Sequence, residues 1–151
     1  MAVIDSIPSR ADQLAIEPTI SPEARAHLRR GADLFDGGHY WDAHETWEAI
    51  WQEERRPIRS FYQGLIQIAA GLHHWTVTHR PIGVERKLAE GIAKLSWYRP
   101  AYLGIDVARL IAEAEDLRAQ AVGQDARGLA AHPPAPPPTV PRLESAPAED
   151  G

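Results

Sequence analysis

The sequence contains no cysteine among its 151 residues. Disulfide bonds, thiolate zinc sites and thiol nucleophiles are therefore excluded, and oxygen and imidazole groups remain as ligands for any metal. No run approaches the roughly 18 apolar residues that a membrane-spanning helix needs, and the first residues lack a basic segment followed by an apolar one. We therefore expect a cytoplasmic protein that does not enter a membrane.

Positive charge is also scarce, because 16 Lys and Arg residues face 21 Asp and Glu residues, for a formal net charge of −5. Nucleic-acid affinity depends largely on cationic side chains, so nucleic acid is not an expected partner despite a small basic group at Arg80, Arg86 and Lys87. A hydrophobic content of 44% and a charged content of 25% are typical of one soluble domain. Association into a homo-oligomer is left open.

The two ends of the chain differ in composition from its middle. Residues 1–20 show no sustained periodicity, which predicts an extended N-terminal arm. Residues 133–151 hold seven of the thirteen prolines and few large apolar side chains, so they bury too little surface to offset the entropy of ordering. We expect a folded domain over residues 21–122 and a disordered proline-rich tail over residues 123–151.

The middle of the chain has the apolar periodicity of helices, and no segment alternates like a half-buried strand. Start and stop residues divide it into five predicted helices, at about residues 21–36, 40–54, 57–79, 83–97 and 106–121. The third contains the nearly apolar run FYQGLIQIAAGLHHW and must be largely buried. The sequence thus predicts an all-α fold, an antiparallel bundle of about five helices with this helix at its centre.

One face of the predicted helix 40–54 combines aromatic and ionisable side chains. A rotation of about 100° per residue places Trp41, His44, Glu48 and Trp51 on one contiguous stripe, with Glu45 beside it. Buried ionisable groups are costly unless they are paired or hydrogen-bonded. These groups therefore need partners from another element.

The following predicted helix offers such partners. Gln63 and Gln67 lie one turn apart, His74 continues their line, and His73 lies on the adjoining line. In an antiparallel hairpin of the two helices, His44 falls near the two histidines. Glu48, one turn closer to the connection between the helices, then lies near Gln67. This register is counted from the connection and is good to about one helical turn.

Three hypotheses account for this arrangement. The first is a buried network in which Glu48 accepts hydrogen bonds from Gln63 or Gln67 and fixes the register of the helices. The second is a small-molecule pocket lined by Trp41, Trp51 and the histidines. Of the three hypotheses, the network is the one that the sequence favours.

The third hypothesis is a divalent metal site. His44 and Glu48 have the i, i+4 spacing that lets two side chains reach one ion, His73 or His74 of the facing helix supplies a third ligand, and Glu45 acts as general base beside a metal-bound water. The sequence HETWE lacks the second histidine of the H-E-x-x-H motif, so a zinc peptidase is not expected.

Three blocks in order, residues 35–51, 59–75 and 102–110, resemble the bacterial and archaeal family called domain of unknown function 309. The resemblance spans about Leu28 to Leu117 and implies a small all-α domain for which no activity is established. The residues of this chain on which the family pattern falls are Gly38, Tyr40, His44, Glu45, Glu48, Trp51, Gln63, Gly64, His73, Gly104 and Asp106.

Two of these positions also have physical interpretations. Asp106 after Gly104 is expected to cap the last predicted helix. Gly64 inside a helix predicts a close helix approach, which we expect to bring the polar stripe of helix 40–54 against Gln63.

We interpret the chain as a non-catalytic helical module that binds a small molecule or a protein partner between the second and third predicted helices. The candidate binding residues are Tyr40, Trp41, His44, Glu48, Trp51, Gln63, Gln67 and His73. The alternative is a metal-dependent, hydrolase-like enzyme that uses His44, Glu48 and His73 as ligands and Glu45 as the catalytic base.

Overall fold

Seven α-helices and no strand make up the part of the chain that the computed structural model describes, residues 7–143. The helices are α1 (Arg10–Ile16), α2 (Pro22–Asp36), α3 (Tyr40–Glu53), α4 (Arg59–His73), α5 (Pro81–Leu95), α6 (Val107–Ala121) and α7 (Ala126–Ala131). A π-helical segment, His74–Thr78, extends α4, and 3-10 turns follow α1 and α5. The all-α prediction is confirmed, but the predicted number of five helices is too low. None of the helices in this range is long and apolar enough to cross a lipid bilayer.

The helix ends follow the local signals in the sequence. The hydroxyl of Ser21 accepts a hydrogen bond from the backbone N–H of Ala24 at 3.0 Å, which caps α2. Asp106 caps α6 in the same way, and its carboxylate accepts from the N–H of Arg109 at 3.1 Å. Gly38, with a φ of +84°, takes the left-handed conformation needed between α2 and α3.

Helix α4 is the centre of the bundle, as the sequence predicts. Twelve of its 15 residues are buried, and it packs between α3 and α5. Burial of one large aliphatic or aromatic side chain contributes about 1.5–3 kcal/mol, so this helix is a major source of stability.

Gly64 and Gly91 allow α4 and α5 to cross closely. A Cβ atom added to Gly91 would lie 2.9 Å from the carbonyl oxygen of Gly64, and one added to Gly64 would meet Leu95 at 2.9 Å. The predicted close helix approach at Gly64 is therefore confirmed, but the prediction that the approaching helix is α3 is wrong. The glycine lies on the side of α4 that contacts α5.

The N-terminal arm is helical and packed over its described residues, and not extended as expected. Gln13 of α1 is 1% exposed, and its amide nitrogen donates to the carbonyl oxygens of Trp97 at 2.6 Å and Pro8 at 3.3 Å. The hydroxyl of Tyr102 donates to the carbonyl oxygen of Gln13 at 2.8 Å. The bonds to Trp97 and Tyr102 join residues more than 80 positions apart. No local pattern in the sequence indicates such contacts. Residues 1–6 of the predicted arm lie outside the described residues.

The predicted disordered tail is also ordered over its described part, residues 123–143. Helix α7 buries Leu129, and the extended strap that follows, residues 132–143, buries Val140. Two hydrogen bonds hold the strap: the N–H of Val140 donates to the carboxylate of Asp36 at 2.7 Å, and the N–H of Asp106 donates to the carbonyl oxygen of Pro141 at 2.8 Å. Single buried side chains and a few hydrogen bonds thus fix this segment, although it contains no apolar run. Residues 144–151 of the predicted tail lie outside the described residues.

Candidate functional site

Trp41 lies between two histidines at the open end of the α3–α4 hairpin. Its indole is stacked on the imidazole of His44, with ring centres 4.5 Å apart and an interplanar angle of 9°. The ring of His73 on α4 approaches the same indole at 4.8 Å. The antiparallel hairpin thus brings His44 and His73 to one aromatic side chain, which is itself 45% exposed.

His44 is partly buried, and its Nδ1 atom has no hydrogen-bond partner within the described chain. Burial lowers the pKa of His44 below its usual value, and nearby His73 and Lys87 lower it further. The carboxylates of Glu48 and Glu45 oppose this shift. The neutral imidazole is therefore favoured near neutral pH, and it carries one unused donor or acceptor position.

A second group of unpartnered atoms lies at the closed end of the same hairpin. The guanidinium carbon of Arg59 lies 4.1 Å from the ring centre of Trp51, and Arg59 also donates to the carbonyl oxygen of Trp51 at 3.2 Å. Trp51 Nε1 and Arg59 Nε are buried and have no partner in residues 7–143. Both atoms can only donate, so each needs an acceptor that residues 7–143 do not supply.

These groups define a surface that we call the α3–α4 stripe, which consists of Trp41, His44, Glu48 and Trp51 of α3 with Arg59 and His73 of α4. The stripe holds three of the four buried side-chain polar atoms without a partner in the part of the chain that is described, and the fourth is Arg118 Nε. Native proteins satisfy most buried polar groups, so such a cluster requires a physical explanation.

Gln67 does not join this stripe. Its amide faces α5, where Nε2 lies 3.4 Å from Glu90 Oε1, and the reversed amide would contact the Glu90 carbonyl oxygen and Lys94 Nζ at 3.3 Å. Gln63 is half-buried, and neither its side chain nor that of Glu48 takes part in a hydrogen bond within residues 7–143. The predicted bond from Gln63 or Gln67 to Glu48 is therefore absent from this range, because Gln67 points to the other neighbour of α4.

Two further candidate residues lie away from the stripe. Tyr40 is 7% exposed and packs edge-on against Phe35 at 5.0 Å, so it belongs to the core between α2 and α3. Glu45 is exposed and lines a shallow surface depression with His27 and Arg30 of α2. The structure thus places the predicted catalytic base on the α2 side of α3.

The two neighbouring histidines at the end of α4 contact different elements. The π-helical segment begins at His74, and a Cβ atom added to Gly83 of α5 would lie 2.6 Å from the His74 ring. Burial lowers the pKa of His74, and His73, Arg80 and Lys87 act in the same direction. His73 therefore faces Trp41 of α3, whereas His74 packs on α5. A π-helical turn of this kind is frequent at functional sites.

No group of three or more histidine, aspartate or glutamate side chains in residues 7–143 is arranged to hold a metal ion. His44, Glu48 and His73 therefore do not form the predicted three-ligand set in this structure. Both imidazoles instead contact the ring of Trp41.

Arg59 and Lys87 are the residues of this region that the sequence reasoning missed. Arg59 lies one turn before Gln63, and its i, i+4, i+8 spacing with Gln63 and Gln67 is a signal that could have found it. Lys87 lies on α5, and its charge lowers the pKa of His44 because the fold brings the two residues near each other. No local pattern in the sequence indicates this proximity.

The fold and this geometry define an all-α bundle domain whose polar and aromatic groups concentrate on one two-helix hairpin. Residues 28–86 match the model of the family described as Domain of unknown function (DUF309). The match confirms the family resemblance and contains the whole α3–α4 stripe, while the third resembling block, residues 102–110, lies outside it. Neither the curated proteins nor the solved structures gave a match to the chain.

Proposed function

We propose that the α3–α4 stripe is the binding site of a small planar ligand and that the domain is a non-catalytic binding module. The cluster of unpartnered buried atoms on the stripe is the observation that carries this proposal. His44 Nδ1 lies near one end of the stripe, and Trp51 Nε1 and Arg59 Nε lie near the other. Seven residues of α3 separate the two ends, a distance of about 10 Å along the helix.

The aromatic groups indicate the kind of ligand. Trp41 is an aromatic side chain that stays 45% exposed although it contacts both His44 and His73, so part of its ring is accessible to a second ring. The donor-only pair of Trp51 and Arg59 favours a ligand that carries an acceptor such as a carboxylate or carbonyl group. A planar ring with one acceptor group fits both features.

Binding is tested by nuclear magnetic resonance, with the indole and imidazole signals of Trp41, His44 and His73 observed during titration with nicotinate, benzoate and adenine. We expect at least one of these probes to shift these signals, and Trp41→Ala to weaken its binding about tenfold, which corresponds to about 1.4 kcal/mol. Ile82→Ala is a matched control, because Ile82 is 73% exposed and lies outside the stripe.

Two results would contradict the proposal. The first is that no probe shifts the stripe signals. The second is that the two variants weaken binding equally, since the affinity would then not depend on the stripe. A partner protein that shifts the same signals when the small probes do not would assign the stripe to a protein interface.

Stability distinguishes a binding site from a structural network. Binding sites often retain groups that lower stability, so His44→Leu and Glu48→Gln should leave the free energy of unfolding unchanged within about 0.5 kcal/mol or raise it. Gln67→Ala removes a contact to α5 and should lower it by about 1 kcal/mol. A loss of more than about 2 kcal/mol in both stripe variants would identify the network that the sequence favoured.

The competing function is a metal-dependent enzyme with Glu45 as the base. Elemental analysis of the protein purified without a tag, repeated on His44→Ala, tests it. A divalent metal at one equivalent that is lost in the variant would favour the enzyme over the binding module.

A further inference from the structure

A cavity with a volume of about 230 Å³ lies beside α2, away from the α3–α4 stripe. It is bordered by α2, by the turn Tyr102–Ile105 and by the end of the C-terminal strap. Its apolar surface comes from Leu28, Ala32, Leu103 and Ile105. The volume is slightly below the range of about 300–1,000 Å³ typical of ligand pockets, so it suits a small molecule.

Three arginines surround this apolar surface, but they differ in how their charge is balanced. Arg142 forms ion pairs with Asp33 at 3.1 Å and with Asp36 at 3.2 Å. Arg25 and Arg29 form no ion pair within residues 7–143. They lie one helical turn apart on α2, so both guanidinium groups border the cavity on the same face.

Arg25 is held in place before any ligand binds. Its Nε donates to the carbonyl oxygen of Ile20 at 3.2 Å, and its Nη2 donates to the carbonyl oxygen of Glu17. A guanidinium group has five N–H donors, so further donors remain for a ligand. A donor fixed in this way loses little entropy on binding, which favours affinity.

The turn opposite Arg25 has a conformation that leucine rarely adopts. Leu103 has a φ of +50° and is followed by Gly104 at +80°. Hydrogen bonds hold the turn, from the N–H of Leu103 to the Glu17 carboxylate at 2.7 Å and from the N–H of Leu143 to the carbonyl oxygen of Gly104 at 2.9 Å. Backbone strain of this kind is frequent at ligand sites, and here it borders the cavity.

From these observations we propose that the cavity binds a small amphipathic carboxylate. Arg25 and Arg29 hold its carboxylate group, and Leu28, Leu103 and Ile105 contact its apolar part. Arginine pairs well with carboxylates because its planar fork can donate two parallel hydrogen bonds. The site shares no residue with the α3–α4 stripe and does not depend on its function.

Such a carboxylate has two sources. One is a free organic acid in solution. The other is the chain itself, because the acidic residues Glu144, Glu149 and Asp150 follow Leu143, which lines the cavity. The two sources share one chemistry, and the experiment below separates them.

Titration calorimetry with hexanoate tests the proposal, together with nuclear magnetic resonance of the methyl groups of Leu28, Leu103 and Ile105. We expect hexanoate to bind and shift these methyl signals, and we expect 1-hexanol and inorganic phosphate to bind at least tenfold more weakly, about 1.4 kcal/mol. Arg29→Gln should weaken hexanoate binding about threefold to tenfold, because it removes one of the two guanidinium groups that hold the carboxylate. The variant should fold normally, since Arg29 is exposed.

Arg30→Gln is the matched control, since Arg30 is an exposed arginine on the same helix that does not line the cavity. Equal weakening by the two variants, hexanol binding as tight as hexanoate, or no methyl shift would each overturn the proposal. The triple variant Glu144→Gln, Glu149→Gln, Asp150→Asn identifies the source. A gain in hexanoate affinity that Arg29→Gln removes shows that the chain's own carboxylates compete for the cavity, and an unchanged affinity assigns the cavity to a free acid.

Discussion

The indole of Trp41 lies flat on the imidazole of His44, with 4.5 Å between ring centres, and leaves the Nδ1 atom of that histidine buried and without a partner in the described part of the chain. A stack of this kind shields one face of the imidazole from water. It therefore links the protonation of His44 to the position of an exposed tryptophan.

His44 should make the protein less stable in mild acid. Its pKa is lowered mainly by burial, so between this value and about 6.5 the unfolded chain binds a proton that the folded chain does not. The free energy of unfolding should therefore fall as the pH drops from just above 6.5 through the folded pKa. Urea unfolding from about pH 7.5 to pH 5 measures this slope.

His44→Gln should reduce the slope, and the exposed control His27→Gln should keep it. Part of the slope should remain in His44→Gln, because burial also lowers the pKa of His74. Imidazole signals that place the titration of His44 above its usual range would contradict this prediction.

Gly91→Ala should destabilise the bundle through the α4–α5 crossing. The added Cβ atom would lie 2.9 Å from the carbonyl oxygen of Gly64, and a backbone atom inside a helix has little freedom to move. Alanine gains about 1 kcal/mol of helix propensity over glycine, and overpacking costs about 1–3 kcal/mol, so we expect a net loss of up to about 2 kcal/mol. Thermal or urea unfolding measures it, and an alanine variant more stable than the parent would show that the helices separate easily.

Leu129→Ala should show that helix α7 belongs to the folded domain. Leu129 is 1% exposed, and the indole N–H of Trp75 donates to the carbonyl oxygen of His132 at the end of the same helix at 2.9 Å. Removal of a buried leucine side chain costs about 2–5 kcal/mol. Val122→Ala, at a position 70% exposed, is the control and should change the free energy of unfolding by less than about 0.5 kcal/mol. Equal stability of the two variants would mean that α7 contributes nothing to the fold.

Gln13→Ala should release the N-terminal arm. The variant removes the amide that donates to the carbonyl oxygens of Trp97 and Pro8, and both acceptors then lose a buried partner. We expect a loss of about 1–3 kcal/mol and faster amide hydrogen exchange in α1, with exchange in α4 changed much less. Unchanged exchange in α1 would show that its packing does not depend on this side chain.

The central helices follow from the sequence because their signals are local. The period of about 3.6 residues places Trp41, His44 and Trp51 on one face, and the short connection before Arg59 makes α3 and α4 antiparallel neighbours. The structure accordingly places His44 and His73 at the same end of the α3–α4 hairpin, where both contact Trp41. Helix caps such as Ser21 are local in the same sense.

Other features depend on contacts that no local pattern contains. The direction of Gln67 is set by α5, which approaches through Gly91, so periodicity along α4 alone assigns its amide to the wrong neighbour. Composition likewise misses α1 and the strap, because single anchors such as Gln13 and Val140 reach partners more than 80 residues away in the sequence.

The turn Tyr102–Ile105 joins the two terminal segments of the described chain. The N-terminal arm reaches it through Glu17, and the strap reaches it through Leu143, whose N–H donates to Gly104. Neither segment is part of the central helix hairpin, yet both form hydrogen bonds with the same turn. Loosening of one end of the chain should therefore weaken the hold on the other, so that the two termini act as one cooperative unit.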